Sequence, residues 1–312
     1  MTLILTISTP AYIIQASDRL VTFQGTAVIH NAMANKTVVV RARDGLAAIS
    51  FSGIAYIDGL QTDEWIARTI SKLSAEAGVL TAAGGRPQKR SLNQIIHALK
   101  AALDERSEPK HGLHIQVAGW RITRSQYFPF VRELVWNRFR TTRSVSTPKP
   151  WLGPPKKIVL SAIGAETEGL NVLSAKLDEH RKTSSKLSLA DAERILVESI
   201  REVASTNRSV GANVLTVSIP NPNNVGALPK IEFFANTEHN ALIRRAEGAD
   251  IRIQVAHTPW LVGPASVAAP SSVSGSMTVN LAGVEVVVVG PPPPPGILFA
   301  AGSIVPFPPP KR

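Results

Sequence analysis

Four residues near the start of the chain have the types and positions that acyl-transfer chemistry needs: Thr2, Asp18, Lys36 and Gly53. A threonine hydroxyl is a weak nucleophile and requires an adjacent base. A free α-amino group has an ordinary pKa of about 8, so it accepts a proton near neutral pH. With Met1 removed, Thr2 carries both groups on one residue. Methionine aminopeptidases act when the second residue is small, and threonine qualifies. A lysine close to the hydroxyl favours its deprotonation, and a buried aspartate holds that lysine charged and oriented. Asp18 and Lys36 stand at the ends of neighbouring strand patterns, within reach of the first strand. Gly53 closes the strand-like run from Leu46 to Ser52 and can turn a backbone N–H toward a developing oxyanion.

Other chemistries lack their residues. The chain has no cysteine, which excludes disulfides, thiol catalysis and thiolate metal sites. Neither phosphate-binding glycine loop occurs, and no Gly-x-Ser-x-Gly elbow is present. His111 and His114 have no carboxylate partner nearby in sequence and read as a surface pair. No metal or cofactor is expected. The start has no basic region ahead of its apolar residues, and no apolar run reaches the roughly 18 residues of a membrane span. The expectation is a cytoplasmic protein with no membrane contact.

These side chains must be positioned by strands. Runs rich in β-branched residues fill 2–9, 11–16, 20–29, 37–43 and 46–51. Two helices follow at 62–77 and 91–105, the first capped by Thr62 and the second by Ser91. A loop at 82–90 separates them. Strands return at 113–118, 128–136 and 158–163, with a Pro-, Ser- and Lys-rich loop at 144–157. Helices return at 167–179 and 189–205, where Ser188 and Asp191 resemble a capping box. Strands at 213–219 and 230–235 complete the pattern. Strands and helices therefore come in blocks. That order predicts an α+β fold, with two mainly antiparallel sheets packed together and helices outside. Residues 236–312 read as a C-terminal extension, with one strand at Val284–Val289 and proline runs at Pro291–Pro295 and Pro308–Pro310.

The first part of the chain resembles the proteasome β-subunit-like N-terminal nucleophile (Ntn) hydrolases, including their bacterial proteasome-like branch. The resemblance rests on Thr2, on Ala16-Ser17-Asp18-Arg19, on Lys36 before a strand and on Phe51-Ser52-Gly53-Ile54-Ala55 before the first helix. The strand ending Ala118-Gly119-Trp120 and the element order over 2–235 agree with it. It implies a four-layer αββα sandwich and a threonine-type peptidase or amidohydrolase without cofactor. Thr2, Asp18, Lys36 and Gly53 would be its catalytic residues, with Arg19, Asn207 and Ser209 in support. The chain departs from the family where Ala165 stands in place of a serine. It departs again where Thr206-Asn207-Arg208-Ser209-Val210-Gly211 replaces an Asp- and Ser-containing stretch. Two readings follow: a threonine peptidase, or a proteasome-fold structural or binding subunit without catalysis.

The net charge of +11 is unevenly placed. Between Arg121 and Lys157, nine Lys or Arg face one acid, Glu133, among six aromatics. Such a stretch can bind nucleic acid or another polyanion, or it can be a solvated basic hairpin. Self-association is the other expected partnership. The resemblance implies a homo-oligomer, a ring or an open stack, acting on peptides or unfolded proteins. Trp65, Ile66, Trp136, Phe139 and Trp151 are expected to need cover from a neighbouring subunit. The basic stretch is expected to face either solvent or an acidic patch on a neighbour, such as Asp178-Glu179 or Asp191-Glu193. The 236–312 extension is expected to drape over an adjacent subunit or the mouth of the chamber.

Overall fold

The computed structural model describes residues 2–22, 29–31, 34–71, 90–106, 112–123, 126–136, 141–142, 158–223, 229–234, 242–246, 249–253, 255–257, 259–262, 267–268, 272–274, 277–281 and 284–289. Met1, residues 72–77 of the first expected helix, the 82–89 loop, His111, Phe139, the 144–157 segment with Trp151 and both proline runs lie outside them.

In chain order the main elements begin with β1 (Leu3–Ser8), β2 (Tyr12–Asp18), β3 (Thr37–Ala42) and β4 (Gly45–Gly53). Next come α1 (Thr62–Ser71), α2 (Leu92–Asp104), β5 (Leu113–Thr123), β6 (Gln126–Trp136), β7 (Thr141–Thr142) and β8 (Val159–Gly164). Then follow α3 (Glu166–Thr183), α4 (Leu189–Thr206), β9 (Val214–Pro220) and β10 (Lys230–Phe234). Last are β11 (Trp260–Val262), β12 (Val267–Ala268), β13 (Met277–Leu281) and β14 (Val284–Val289). Short two-stranded ribbons accompany them, including Tyr56–Ile57 with Leu60–Gln61.

Two seven-stranded sheets result. One runs β8-β1-β2-β9-β10-β14-β13 and the other β7-β6-β5-β4-β3-β11-β12. Pairing is antiparallel except for β14 beside β10 and β11 beside β3. Strands from beyond residue 235 thus join both sheets, with Trp260 opposite Val38 and Val286 opposite Ile231.

Period-two alternation sorts the strands' side chains. Leu3, Leu5 and Ile7 of β1, with Tyr12, Ile14 and Ala16 of β2, face α3 and α4. Val38 and Val40 of β3, with Ala47, Ile49 and Phe51 of β4, face α1 and α2. The alternate set, including Ile13, Val39, Ala48, Ala118 and Trp120, packs between the sheets. The order is helices, sheet, sheet, helices, as the α+β αββα expectation required. Two helix starts carry their reasons in sequence, whereas Thr62, expected to cap the first helix, is its first residue and donates its hydroxyl to the Ile54 carbonyl. Ser91 and Gln94 form a full capping box on α2, and the Ser188 hydroxyl accepts the Asp191 N–H at the start of α4.

Several residues expected to need a neighbour are covered within the chain. Trp65, Ile66 and Trp136 are buried in the cluster under α1 and α2. Arg106 lies over the Trp65 ring, 5.0 Å from its centroid. The hairpin β5–β6 supplies Trp136 with an apolar floor through its core-facing side, which the basic sequence around it masked. Members of the acidic pairs also have partners within the chain. Asp178 bonds Arg181, Asp191 bonds Arg194, and Glu193 accepts the Thr216 hydroxyl of β9. In the basic stretch, Arg121 and Arg132 lie over the Phe130 ring.

Part of the space between the sheets is polar. The Gln116 carbonyl oxygen accepts from Thr6 and Gln15, and its amide donates to Glu133 and Ser161. Ser50 donates to the Gln15 carbonyl and meets Thr37, which meets Ser17. Each hydrogen-bonding need is met in turn, as buried polar groups require. This row ends at Ser17, one residue before Asp18, and at Thr37, one residue after Lys36.

Candidate active site

The β1–β2 hairpin brings Thr2 beside Asp18. Ile4 stands opposite Ser17, so the Asp18 carboxylate falls next to the start of β1. Its Oδ1 accepts the Leu3 N–H at 2.8 Å. Thr2 itself is 6% exposed, and its carbonyl accepts the Ala165 N–H at 2.9 Å. Both sides of the peptide unit after Thr2 are therefore fixed, one by α3's first residues and the other by Asp18.

Asp18 is fully buried and fully used. Besides Leu3, it accepts the N–H groups of Leu20 at 3.1 Å and Gly211 at 3.0 Å. Both of its oxygens also accept from Lys36 Nζ, at 3.1 and 3.0 Å. Lys36 is 2% exposed and donates to the Leu20 carbonyl at 2.5 Å as well. Burial lowers the Lys36 pKa below its ordinary value; Asp18 opposes that shift, and Arg19 adds to it. An ion pair this deep survives only because each remaining lone pair and proton has a partner.

Arg19 is buried behind the pair. It donates to the Ala34 carbonyl and the Asn35 side chain, both at 3.4 Å, and lies over the Phe233 ring. Burial lowers its pKa. Arg19 thus braces the 34–35 turn that delivers Lys36.

Gly53 ends β4 with φ +109°, a conformation side chains rarely adopt. A Cβ there would stand 2.0 Å from the Gly112 carbonyl oxygen. The neighbouring Ser52 is buried and approaches Gly164, the last residue of β8. Gly164 has φ +93°, and a Cβ on it would sit 1.7 Å from the Thr2 carbonyl oxygen. Gly164 therefore packs against the Thr2 carbonyl with Ser52 beside it, and neither was singled out as a site residue from sequence. A glycine at a strand's end signals only a bend until the opposite strand is known.

Asn207 and Ser209 lie in the turn after α4 and bond each other. The Asn207 Oδ1 accepts from the Ser209 N–H and hydroxyl, and its amide donates to Glu168 of α3. The turn reaches Asp18 through the Gly211 backbone, a contact across 193 residues of sequence. Ala165 caps α3 without a side-chain hydrogen bond and bonds Thr2 through its backbone.

A shallow cleft opens alongside. It is lined by Val21, Ala34, Asn35, Phe51, Ala55, Tyr56, Gln61 and Asp63. Val21 follows Leu20, Asn35 precedes Lys36, and Phe51 precedes Gly53 by two residues, so the cleft borders the site.

No family model matches the chain, and no curated protein does. Among solved structures it is similar to Anbu from Hyphomicrobium sp. strain MC1, with 15% identity and a TM-score of 0.43 over 71% of this chain and 83% of that one. It is also similar to Anbu, described as an ancestral beta-subunit, from Yersinia bercovieri, with 14% identity and a TM-score of 0.44 over 70% and 82%. At that level of overlap, the sheet order and helix packing themselves define the fold. Among the described residues, no helix is long and apolar enough to cross a membrane.

Proposed function

We propose that the chain is an N-terminal threonine hydrolase, a peptidase or related amidohydrolase of the proteasome-like type, acting after removal of Met1. One observation carries the reading. A single buried carboxylate, Asp18, joins the backbone beside Thr2 to the ammonium of Lys36. Nothing in an ordinary strand start calls for a buried ion pair there.

In the reaction, Thr2 Oγ1 attacks the scissile carbonyl carbon while the Thr2 α-amine takes the hydroxyl proton. The Lys36 charge favours the deprotonated hydroxyl, and Asp18 holds that charge in place. The Gly53 N–H receives the negative charge forming on the carbonyl oxygen. The C–N bond breaks as the amine gives its proton to the leaving nitrogen, and an ester remains on Thr2. Water adds to the ester with the amine again as base, and the Thr2 hydroxyl is released.

The test is turnover of a panel of peptide amides by the native protein. Thr2→Ala should reduce it by at least about 10³-fold while the fold persists. Equal turnover by the variant would overturn the reading. The same reading makes the protein a homo-oligomer that takes peptides or unfolded chains. Light scattering on the full chain should show more than one copy, and a stable monomer at micromolar concentration would contradict that.

A second reading, a structural subunit without catalysis, draws on Ala165 and on the Ser209 hydroxyl, which is given to Asn207 at 2.5 Å. Neither supplies a hydroxyl to the amine of Thr2 in these contacts. An unreactive Thr2 in a protein that has lost Met1 would favour this reading.

A further inference from the structure

Two polar ladders face each other inside the sandwich, and the hydrolytic steps use neither. Strand register sets Ser161, Thr6 and Gln15 directly opposite one another across β8, β1 and β2 of one sheet. It sets Glu133, Gln116, Ser50 and Thr37 directly opposite one another across β6, β5, β4 and β3 of the other. The two lines are joined. Gln116 bonds Thr6, Gln15 and Ser161, Ser161 donates to Glu133 at 3.0 Å, and Ser50 donates to Gln15 at 2.5 Å. Ser17, two residues after Gln15, meets Thr37 at 3.4 Å. Each of these bonds runs from one sheet to the other. Two residues away on the same face, the next line across the second sheet is apolar: Val131, Ala118, Ala48 and Val39.

Apolar contact between sheets is non-directional, so it resists a small slip weakly. Hydrogen bonds need close approach and alignment, so the same slip breaks several of them together. Register matters most at the site. Asp18 ends β2 of the first sheet, Lys36 directly precedes β3 of the second, and their side chains meet at 3.0 Å. The pair exists only while the sheets keep this alignment. Well-packed apolar side chains would fill the ladder positions without desolvating polar groups, so the ladders serve alignment more than stability. We propose that the facing ladders lock the register of the two sheets, and that Gln116 is thereby a positioning residue for the Asp18–Lys36 pair; its effect on Thr2 rests on the hydrolase reading. Gln116 is fully buried and is the hub of the lock. Its carbonyl oxygen accepts from β1 and β2, and its amide donates to β6 and β8.

Two measurements on the full chain test this, one of them separate from catalysis. Gln116→Met keeps the side chain's length and loses all its hydrogen bonds. Thr37→Val keeps the shape at the site end of the ladder and loses the hydroxyl, and Thr37→Ser restores it. Ile195→Val, buried under α4, controls for lost stability alone. The first measurement is the Nζ resonance of Lys36 in protein carrying 15N-lysine, identified by its absence from Lys36→Arg. It needs no active Thr2. The resonance should be present in the parent, Thr37→Ser and Ile195→Val, and should shift or vanish in Gln116→Met and Thr37→Val. The second is labelling by a peptide epoxyketone, whose two electrophilic carbons take the hydroxyl and amine of one N-terminal threonine. Mass spectrometry should show Thr2 labelled at least about ten-fold more slowly in Gln116→Met and Thr37→Val. Should Gln116→Met not fold, Thr37→Val against Thr37→Ser decides. A resonance unchanged in the folded variants overturns the proposal, as does an equal change in Ile195→Val. No Lys36 resonance in the parent contradicts the buried pair itself. Where the parent is labelled, labelling and resonance that move independently also overturn it. A resonance that depends on Gln116 and Thr37, with no Thr2 adduct in the parent, keeps the register lock and removes the hydrolase reading.

Discussion

Asp18 and Asp63 are both carboxylates almost wholly removed from solvent, yet they are treated in opposite ways. Asp18 receives three backbone N–H groups and the Lys36 ammonium. Asp63 receives two backbone N–H groups, and its Oδ1 has no hydrogen-bond partner. A satisfied buried charge fixes structure, because any movement breaks several charge-assisted bonds together. An unsatisfied one is an incomplete interaction. The difference separates a residue that holds a site together from one whose burial costs stability.

The largest effect should come from Asp18. Asp18→Ala leaves Lys36 buried without its counter-charge, and removal of one member of such a pair costs about 3–5 kcal/mol. Denaturant unfolding should show that loss, and peptide turnover should vanish with it. A variant as stable as the parent would break the contrast at its stronger end.

Next is Gly164→Ala. Its Cβ would meet the Thr2 carbonyl, and φ +93° is already strained for alanine. A destabilisation of about 1–3 kcal/mol is expected, with Thr2 labelling lost out of proportion to it. Labelling unchanged relative to the parent would separate Gly164 from the site.

An effect of opposite sign belongs to Asp63. Its carboxyl titrates near 3.8 when unfolded and about 7 when folded, so the folded state holds the proton more tightly. Stability from this group is full below the unfolded value, falls as the pH rises between the two, and stays low above about 7. Asp63→Asn cannot ionise. It should match the parent at acid pH and exceed it at pH 8, by up to about 4 kcal/mol. Unfolding curves at both pH values check this, and a variant less stable at pH 8 would erase the comparison.

The sequence made one of these two carboxylates visible. Asp18 and Lys36 were legible as candidates because each stands at the end of a strand pattern near the start of the chain; their strands belong to different sheets, and the ion pair joins them across the sandwich. The two-sheet order was legible from the block pattern of strands and helices. Asp63 was not. In sequence it is an acid in a helix's first turn, which normally faces water. Its burial depends on Phe51, Ala34 and Val21 arriving from other elements. Gly211 could not be tied to Asp18 from sequence, because that bond spans the whole fold. Trp136 was hidden by the basic residues around it, since burial follows the side of the hairpin and not its average charge. The joining of β11 and β14 to the two sheets was equally invisible, because parallel pairing at a sheet edge leaves no local signature.

The central claim is that Thr2 is a nucleophile with a free amine. The most direct measurement is the intact and N-terminal peptide mass of the native protein, before and after a peptide epoxyketone. The account expects Met1 to be absent and one adduct to sit on Thr2, lost in Thr2→Ala. An intact Met1 on the native protein, or an unmodified Thr2 under conditions that label a known N-terminal threonine, would contradict it.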